Sequence, residues 1–184
     1  MSDPLQPWIE KYLRGIAETH GGDLVALKWC DKSEKGQVIR LLTDAQKDAI
    51  FWGMLSDGEY SVPLKIMKDA VVEDRQLHDG ALYENSIISV QKFKVVSARV
   101  PLGNNSGLGK TPRVVIECAA FGRSARNVHT KILGCPKLIT SHEDFKLWEE
   151  GLDKGGGAGN SPQAQERGSI HRPTQSNAST TYYR

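Results

Sequence analysis

The strongest structural signal in the chain is an Asp57-Gly58 pair that stands between two apolar runs, residues 49–55 and residues 60–67. Asp-Gly in this setting is typical of a tight β-hairpin turn, because glycine adopts a positive φ without steric strain. The apolar character ends soon afterwards, and a short acidic helix is predicted over about residues 69–78. This local order of strand, turn, strand and small helix limits the folds that the chain can adopt.

The rest of the chain predicts further strands. Either residues 23–29 or residues 37–42 form the first strand, and a split or bulged strand could use both. With one long strand over residues 87–100 and a last strand over residues 113–121, the pattern predicts a mainly β fold, a five-stranded OB barrel. The predicted strands are thus 23–29 or 37–42, 49–56, 59–67, 87–100 and 113–121.

A helix is predicted before the barrel, because apolar residues recur from Leu5 to Ile16 at the spacing of a single helical face. Pro7 suits a first helical turn, where its missing N–H is no loss. Gly21 and Gly22 end the helix. We interpret Trp8 on this face as a core residue that anchors the helix across the barrel.

A second helix is predicted after the barrel. Ser141 and Asp144 resemble a capping box, and Phe145, Trp148 and Leu152 form an apolar stripe. Beyond it the composition changes to Gly, Ser, Gln, Asn and Pro, which cannot bury enough apolar area to offset the entropy of ordering. We therefore predict an OB domain over residues 1–152 and a disordered tail over residues 153–184.

Two segments of the chain resemble one protein family. Leu5-Gln6-Pro7-Trp8-Ile9 is similar to the Leu-x-Pro-Trp-Ile that begins the OB domain of that family, and Ser56-Asp57-Gly58 with the following Ser61-Val62 is similar to its central hairpin. The family comprises the telomerase-recruiting shelterin adaptor of animals and fungi and the small regulatory subunit of yeast telomerase. The resemblance covers roughly residues 5–150. Whether the chain is a complete telomerase subunit or a piece of a longer adaptor stays open.

The resemblance implies a non-catalytic protein of the nucleus, at the telomeric region of chromosomes, that recruits or regulates telomerase. Its implied partners are the N-terminal region of the telomerase catalytic subunit and other telomere end-binding proteins. In the family, an acidic surface around the helix after the third strand and the start of the fourth makes the telomerase contact. The matching positions here are Glu73, Asp74, Glu84 and Asn85, and Asp79 in the same loop is added to the candidate surface. The alternative interpretation is that acids in a first helical turn only complement the helix dipole.

The charges of the chain are segregated, and this leaves a second function open. Residues 57–84 hold seven acids and three bases, whereas residues 92–137 hold nine bases and the single acid Glu117. OB barrels bind single-stranded nucleic acid with a basic groove and stacking aromatic rings. The candidate nucleic-acid-binding residues are Lys92, Lys94 and Arg123, with Phe93 and Phe121 as stacking platforms. Because the aromatic content is only 7%, weak and salt-sensitive contact with DNA is expected. A third alternative is an OB module of some unrelated assembly.

The sequence offers no recognisable catalytic or metal site. Gly103 to Thr111 looks like a phosphate-binding loop, but five residues instead of four separate its outer glycines, and Pro112 with β-branched residues follows instead of a helix. The three cysteines are widely spaced and lack a CxxC pair, which is typical of buried thiols in a reducing compartment. No apolar run approaches the length of a membrane span. We expect no enzyme activity, no cofactor, no metal and no membrane partner.

Overall fold

The computed structural model describes residues 5–43, 51–72, 82–103, 106–128 and 131–153. The described part forms two α-helices, six strands and one 3₁₀ turn. In chain order these are α1 Ile9–His20, β1 Glu34–Leu41, β2 Phe51–Ser56, β3 Tyr60–Val72, β4 Ser86–Ala98, β5 Arg113–Val128, β6 Lys137–Leu138, the 3₁₀ turn Ile139–Ser141 and α2 Glu143–Asp153.

Five strands close into a barrel. β1, β2 and β3 form an antiparallel meander, β3 pairs with β5 in parallel, and β4 pairs antiparallel with both β5 and β1. The short β6 adds to β3 in parallel, opposite Tyr60 and Ser61. This strand order is that of an OB barrel, so the predicted fold class is confirmed. None of the described helices is long and apolar enough to cross a membrane.

The predicted strands are largely confirmed, with two corrections. Residues 23–29 do not form a strand; they run through turns, and only the next residue, Cys30, makes an isolated bridge to Phe93. The first strand is the segment around residues 37–42, and it begins earlier, at Glu34. β3 continues to Val72 because its end pairs with β5, so the helix predicted from residue 69 is wrong for residues 69–72. The rest of that prediction, residues 73–78, lies outside the described residues.

Helix α1 is joined to the hairpin turn by Asp57. The Asp57 carboxylate is buried, and its Oδ2 accepts hydrogen bonds from the backbone N–H groups of Trp8 and Ile9, both at 2.8 Å. A carboxylate at a helix N-terminus satisfies free N–H groups and complements the helix dipole. Trp8 is the N-cap, so Pro7 precedes the helix and does not occupy its first turn. Gly21 ends the helix, as predicted, with a φ of 56°.

The interpretation of Trp8 as a core anchor is confirmed. Its side chain is only 7% exposed, and its ring packs edge-on against Phe93 with centroids 5.4 Å apart. Tyr12, one helical turn later, contacts both rings. The indole N–H of Trp8 donates to the backbone oxygen of Lys35 at 2.9 Å, so the polar edge of this buried ring is also satisfied.

Helix α2 packs on the barrel as predicted. Phe145 is buried, and the indole N–H of Trp148 donates to the backbone oxygen of Gly21 at 2.8 Å, which connects the two helices. The Glu149 carboxylate binds the start of β5, where it accepts from Val114 N at 2.8 Å. The helix begins at Glu143, because Ser141, the proposed cap, ends the preceding 3₁₀ turn. Residues 154–184, which include nearly all of the predicted disordered tail, lie outside the described residues.

Candidate interaction surfaces

The predicted telomerase-facing residues fall partly inside the described structure. Glu84 and Asn85 immediately precede β4, whereas Glu73, Asp74 and Asp79 lie outside the described residues. Glu84 is exposed, and its Oε1 accepts a hydrogen bond of 3.0 Å from the backbone N–H of Leu41 at the end of β1. One carboxylate oxygen is therefore engaged with the barrel, and Glu84 has a structural contact as well as an exposed charge.

Asn85 shapes the backbone as it enters β4. Its φ is 68°, in the left-handed region that asparagine tolerates better than most residues. Its backbone N–H donates to Val38 at 2.6 Å, and its backbone oxygen accepts from the side chain of Gln37 at 3.1 Å. The side-chain oxygen Oδ1 is buried and has no hydrogen-bond partner among the described residues. Asn85 thus fixes the turn that presents Glu84.

The fully buried Gln37 ties this turn to a distant loop. Its Nε2 also donates to the backbone oxygen of Lys131 at 3.0 Å, and its Oε1 accepts from the backbone N–H of Leu133 at 2.8 Å. A buried amide that makes bonds to three backbone groups holds all of them in register. The acidic turn before β4 is therefore supported by β1 and by residues 131–133.

Two of the predicted basic residues lie together around an aromatic ring. Lys92 and Lys94 both lie on the outer face of β4, two positions apart. Their Nζ atoms lie 6.0 Å and 4.7 Å from the ring centroid of Trp29. An ammonium group above an indole ring is a favourable cation–π arrangement. Arg123 lies on β5 with its backbone opposite Ile88, and its side chain is outside the described part of the structure. We call Trp29, Lys92 and Lys94 the basic strand face.

The predicted stacking platforms are wrong. Phe93 is 1% exposed and Phe121 is 4% exposed, because both side chains point into the barrel core. Phe93 stands between Lys92 and Lys94 in the sequence. Because successive side chains of a strand point to opposite faces, Phe93 points inward where the two lysines point outward. Trp29 is half-buried and supplies the aromatic ring of this face instead.

Lys94 also belongs to a row of side chains that crosses four strands of the barrel. Lys65 on β3 stands opposite Trp52 on β2 and, on its other side, opposite Glu117 on β5. Glu117 in turn stands opposite Lys94 on β4. Glu117 lies 2.6 Å from Lys65 and 3.7 Å from Lys94. Lys65 also lies 5.9 Å from the ring centroid of Trp52. The single acid of the basic block is thus shared between two lysines, which lowers the charge that the row can offer to phosphate.

Sequence reasoning missed this row. Counting outward from a two-residue Asp57-Gly58 turn would place Trp52 opposite Pro63, whereas the structure pairs Ser56 with Ser61 and therefore Trp52 with Lys65. No local signal indicates that Trp29 meets β4, because residues 23–29 lie in turns and their position depends on the closed barrel.

The fold defines the class of protein: the chain is an OB-fold barrel with a helix at each end of the barrel sequence. Comparison with solved structures finds similarity to the Est3 telomerase subunit of the yeast Hansenula polymorpha, with 13% identity, a TM-score of 0.49, and coverage of 80% of this chain and 85% of that chain.

A second similarity is to a putative aspartyl-tRNA synthetase of Leishmania major, with 17% identity and a TM-score of 0.29. It covers 50% of this chain and 17% of that chain. No protein-family model and no curated protein matches the sequence.

Proposed function

We propose that this protein is a non-catalytic OB-fold regulator of telomerase that acts in the nucleus at chromosome ends. In this proposal an acidic surface beside the connection between β3 and β4 binds the N-terminal region of the telomerase catalytic subunit. The surface consists of Glu73, Asp74, Asp79, Glu84 and Asn85. Other telomere end-binding proteins are further partners, as they are for the family that the sequence resembles.

The observation that carries the proposal is the contact between the two family-like segments. The Trp8-Ile9 backbone and the Asp57 carboxylate are 49 and 48 residues apart in sequence, yet hydrogen bonds of 2.8 Å join them. The residues that carry the resemblance therefore form a single structural unit of the barrel. If the two short segments matched the family by chance, there would be no reason for them to contact each other in the fold.

The acidic surface suits a role in recruitment, which requires binding and no catalysis. A domain that offers carboxylates to a basic partner raises the local concentration of that partner where the domain is bound. Charge complementarity accelerates association and favours the correct partner. The exposure of the Glu84 side chain supports this role, since the bond from Leu41 engages only one of its oxygens.

Capture of the N-terminal region of the telomerase catalytic subunit by the full chain tests the proposal. Glu84→Lys, and separately Glu73→Lys with Asp74→Lys, should weaken capture at least tenfold. Glu84→Gln should weaken it less, because glutamine retains an oxygen that can accept from Leu41. Glu150→Lys, an exposed charge reversal on α2, is the matched control and should bind normally.

The melting temperature separates the two roles of the acids. We expect each reversal to lower it by only a few degrees. If Glu84→Lys and the Glu73/Asp74 double variant both bind normally, the assignment of this surface is wrong. If the melting temperature collapses, the acids act in folding and not in partner binding.

A second candidate function, weak binding of single-stranded nucleic acid, is favoured by the basic strand face. Two ammonium groups beside a half-buried indole ring combine the charge and the stacking surface that such binding uses. Glu117 opposes it, because this acid pairs with Lys94 and Lys65. We therefore expect contact at low salt that is lost near physiological ionic strength.

A further inference from the structure

An open groove of about 470 Å³ lies on the outside of the barrel. Its floor is part of a cross-strand row, in which Met54 on β2 stands opposite Pro63 on β3. Arg40 on β1 stands opposite Met54 and forms the rim at that end of the row. Leu138 of β6 also lines the groove and is 37% exposed. The floor is thus aliphatic and comes from three strands.

One wall of the groove comes from residues 100–102, after β4, and residues 109–111, before β5. Two backbone hydrogen bonds hold this wall, from Leu102 N to the oxygen of Gly107 and from Gly109 N to the oxygen of Val100, both at 2.9 Å. Leu102 lines the groove and is 58% exposed. An exposed leucine on an ordered wall above an aliphatic floor forms an apolar patch of the kind that marks binding sites.

The charge on the rim of the groove is basic. Arg40 and Lys110 are exposed on it, and neither makes an ion pair with a described acid. Arg113 also lines the groove, but Glu149 holds its Nε at 2.6 Å and neutralises it. The described residues that line the groove include no Asp or Glu. A segment that enters it therefore meets an aliphatic floor and two cations that are not paired with any acid in the described part of the chain.

We propose that this groove binds a peptide segment of a partner protein in which an apolar side chain is flanked by carboxylates. The apolar side chain fits the floor of Met54, Pro63 and Leu138, and the carboxylates meet Arg40 and Lys110. Single-stranded nucleic acid is the poorer occupant, because it binds OB barrels by stacking on aromatic rings and no described lining residue is aromatic. Glu84 and Asn85, the described residues of the proposed acidic surface, do not line the groove.

Selection of a display library of random dodecapeptides on the full-length protein tests the proposal. Enriched peptides should share an apolar residue with Asp or Glu within two positions. A synthetic peptide from that set should lose at least tenfold in affinity against Arg40→Glu with Lys110→Glu, and against Leu102→Glu. Lys11→Glu with Lys28→Glu changes exposed lysines elsewhere by the same net charge and should bind normally.

Three outcomes would overturn the proposal: no enrichment, enrichment of peptides without acids, or peptides that bind the groove variants normally. A ten-residue oligothymidine that displaces the selected peptide at physiological salt would assign the groove to nucleic acid instead. The substituted side chains are exposed, so the variants should keep the melting temperature within a few degrees. If one does not fold, the peptide's contacts are mapped on the unmodified protein by amide chemical shifts, and shifts confined to other faces overturn the proposal.

Discussion

The carboxylate of Asp57 lies 2.8 Å from the backbone nitrogen of Trp8, and this contact fastens the first helix to the central hairpin. The same carboxylate serves both elements. Its Oδ2 accepts from Trp8 and Ile9, while its Oδ1 accepts from the backbone N–H groups of Glu59 and Tyr60 at 3.0 Å and 2.8 Å. One buried side chain therefore completes a helix N-terminus and a turn at the same time.

We predict that Asp57→Ala destabilises the protein by at least about 3 kcal/mol, because it leaves several buried backbone N–H groups without an acceptor. Asp57→Asn should cost less, since one oxygen remains to accept. Chemical denaturation followed by far-UV circular dichroism measures both. Asp31→Asn, at an exposed position, is the control and should change the unfolding free energy by less than about 0.5 kcal/mol. A small effect of Asp57→Ala would mean that water replaces the carboxylate.

Trp8→Ala should cost about 3–5 kcal/mol, the range for removing a large aromatic side chain from a core. Its ring packs against both Tyr12 and Phe93, whose rings also contact each other, so its removal leaves a cavity beside this pair. Trp8→Phe should cost less, because phenylalanine keeps an aromatic ring in the core, although the bond to the Lys35 oxygen is lost. Loss of partner binding with an unchanged denaturation midpoint would contradict this structural role.

The basic strand face predicts salt-dependent DNA binding. A labelled telomeric single strand should bind weakly at low salt, and log affinity should fall with log salt at roughly −0.7 per phosphate neutralised. Joint replacement of Lys92, Lys94 and Arg123 by Ala should reduce this slope. Trp29→Ala should weaken binding without changing the slope, because it removes stacking and not charge.

Fluorescence anisotropy across a salt series measures affinity and slope together. Lys11→Ala with Lys28→Ala is a control for loss of charge away from the lysines of β4. Tight binding that persists at physiological salt would show that nucleic-acid binding, and not protein recruitment, is the main function. Absence of binding at every salt concentration would show that Lys92 and Lys94 form only a solvated surface.

The cysteines should differ in reactivity. Burial raises the pKa of the Cys118 thiol from its ordinary value near 9 to about 11, whereas Cys135 is exposed. At pH 8 we expect a thiol reagent to modify Cys135 rapidly and Cys118 only after unfolding, because the thiolate is the reactive form. Mass spectrometry of partly labelled protein identifies the sites, and Cys135→Ser should remove the fast phase. Equal rates at both thiols in the native protein would contradict the prediction.

The same pKa shift has a consequence for stability. A thiol whose pKa is higher in the folded state favours folding while it is neutral. This contribution is complete below about pH 9 and is lost as the pH rises towards about 11. The unfolding free energy should therefore fall more steeply over this interval in the unmodified protein than in Cys118→Ala. Parallel pH profiles of the two proteins would show that Cys118 has no part in the decrease.

The sequence by itself determined the elements whose signals are local. The spacing of apolar residues predicted α1, the Asp57-Gly58 turn predicted the hairpin, and alternation predicted the long β4. Side-chain period and turn chemistry act over a few residues, so they can be read without knowledge of the fold. The same locality explains the error at residues 69–72, where helix-like composition yields to pairing with β5.

The tertiary structure alone decided which distant side chains meet. Asp57 reaches Trp8 across 49 residues, and Gln37 reaches Leu133 across 96, through contacts that exist only once the barrel closes. Trp29 meets Lys94, and Leu102 comes to line the same groove as Met54, for the same reason. Alternation tells which face of a strand a side chain occupies, but strand order and register determine its neighbours. The basic strand face and the groove were therefore visible only in the folded protein.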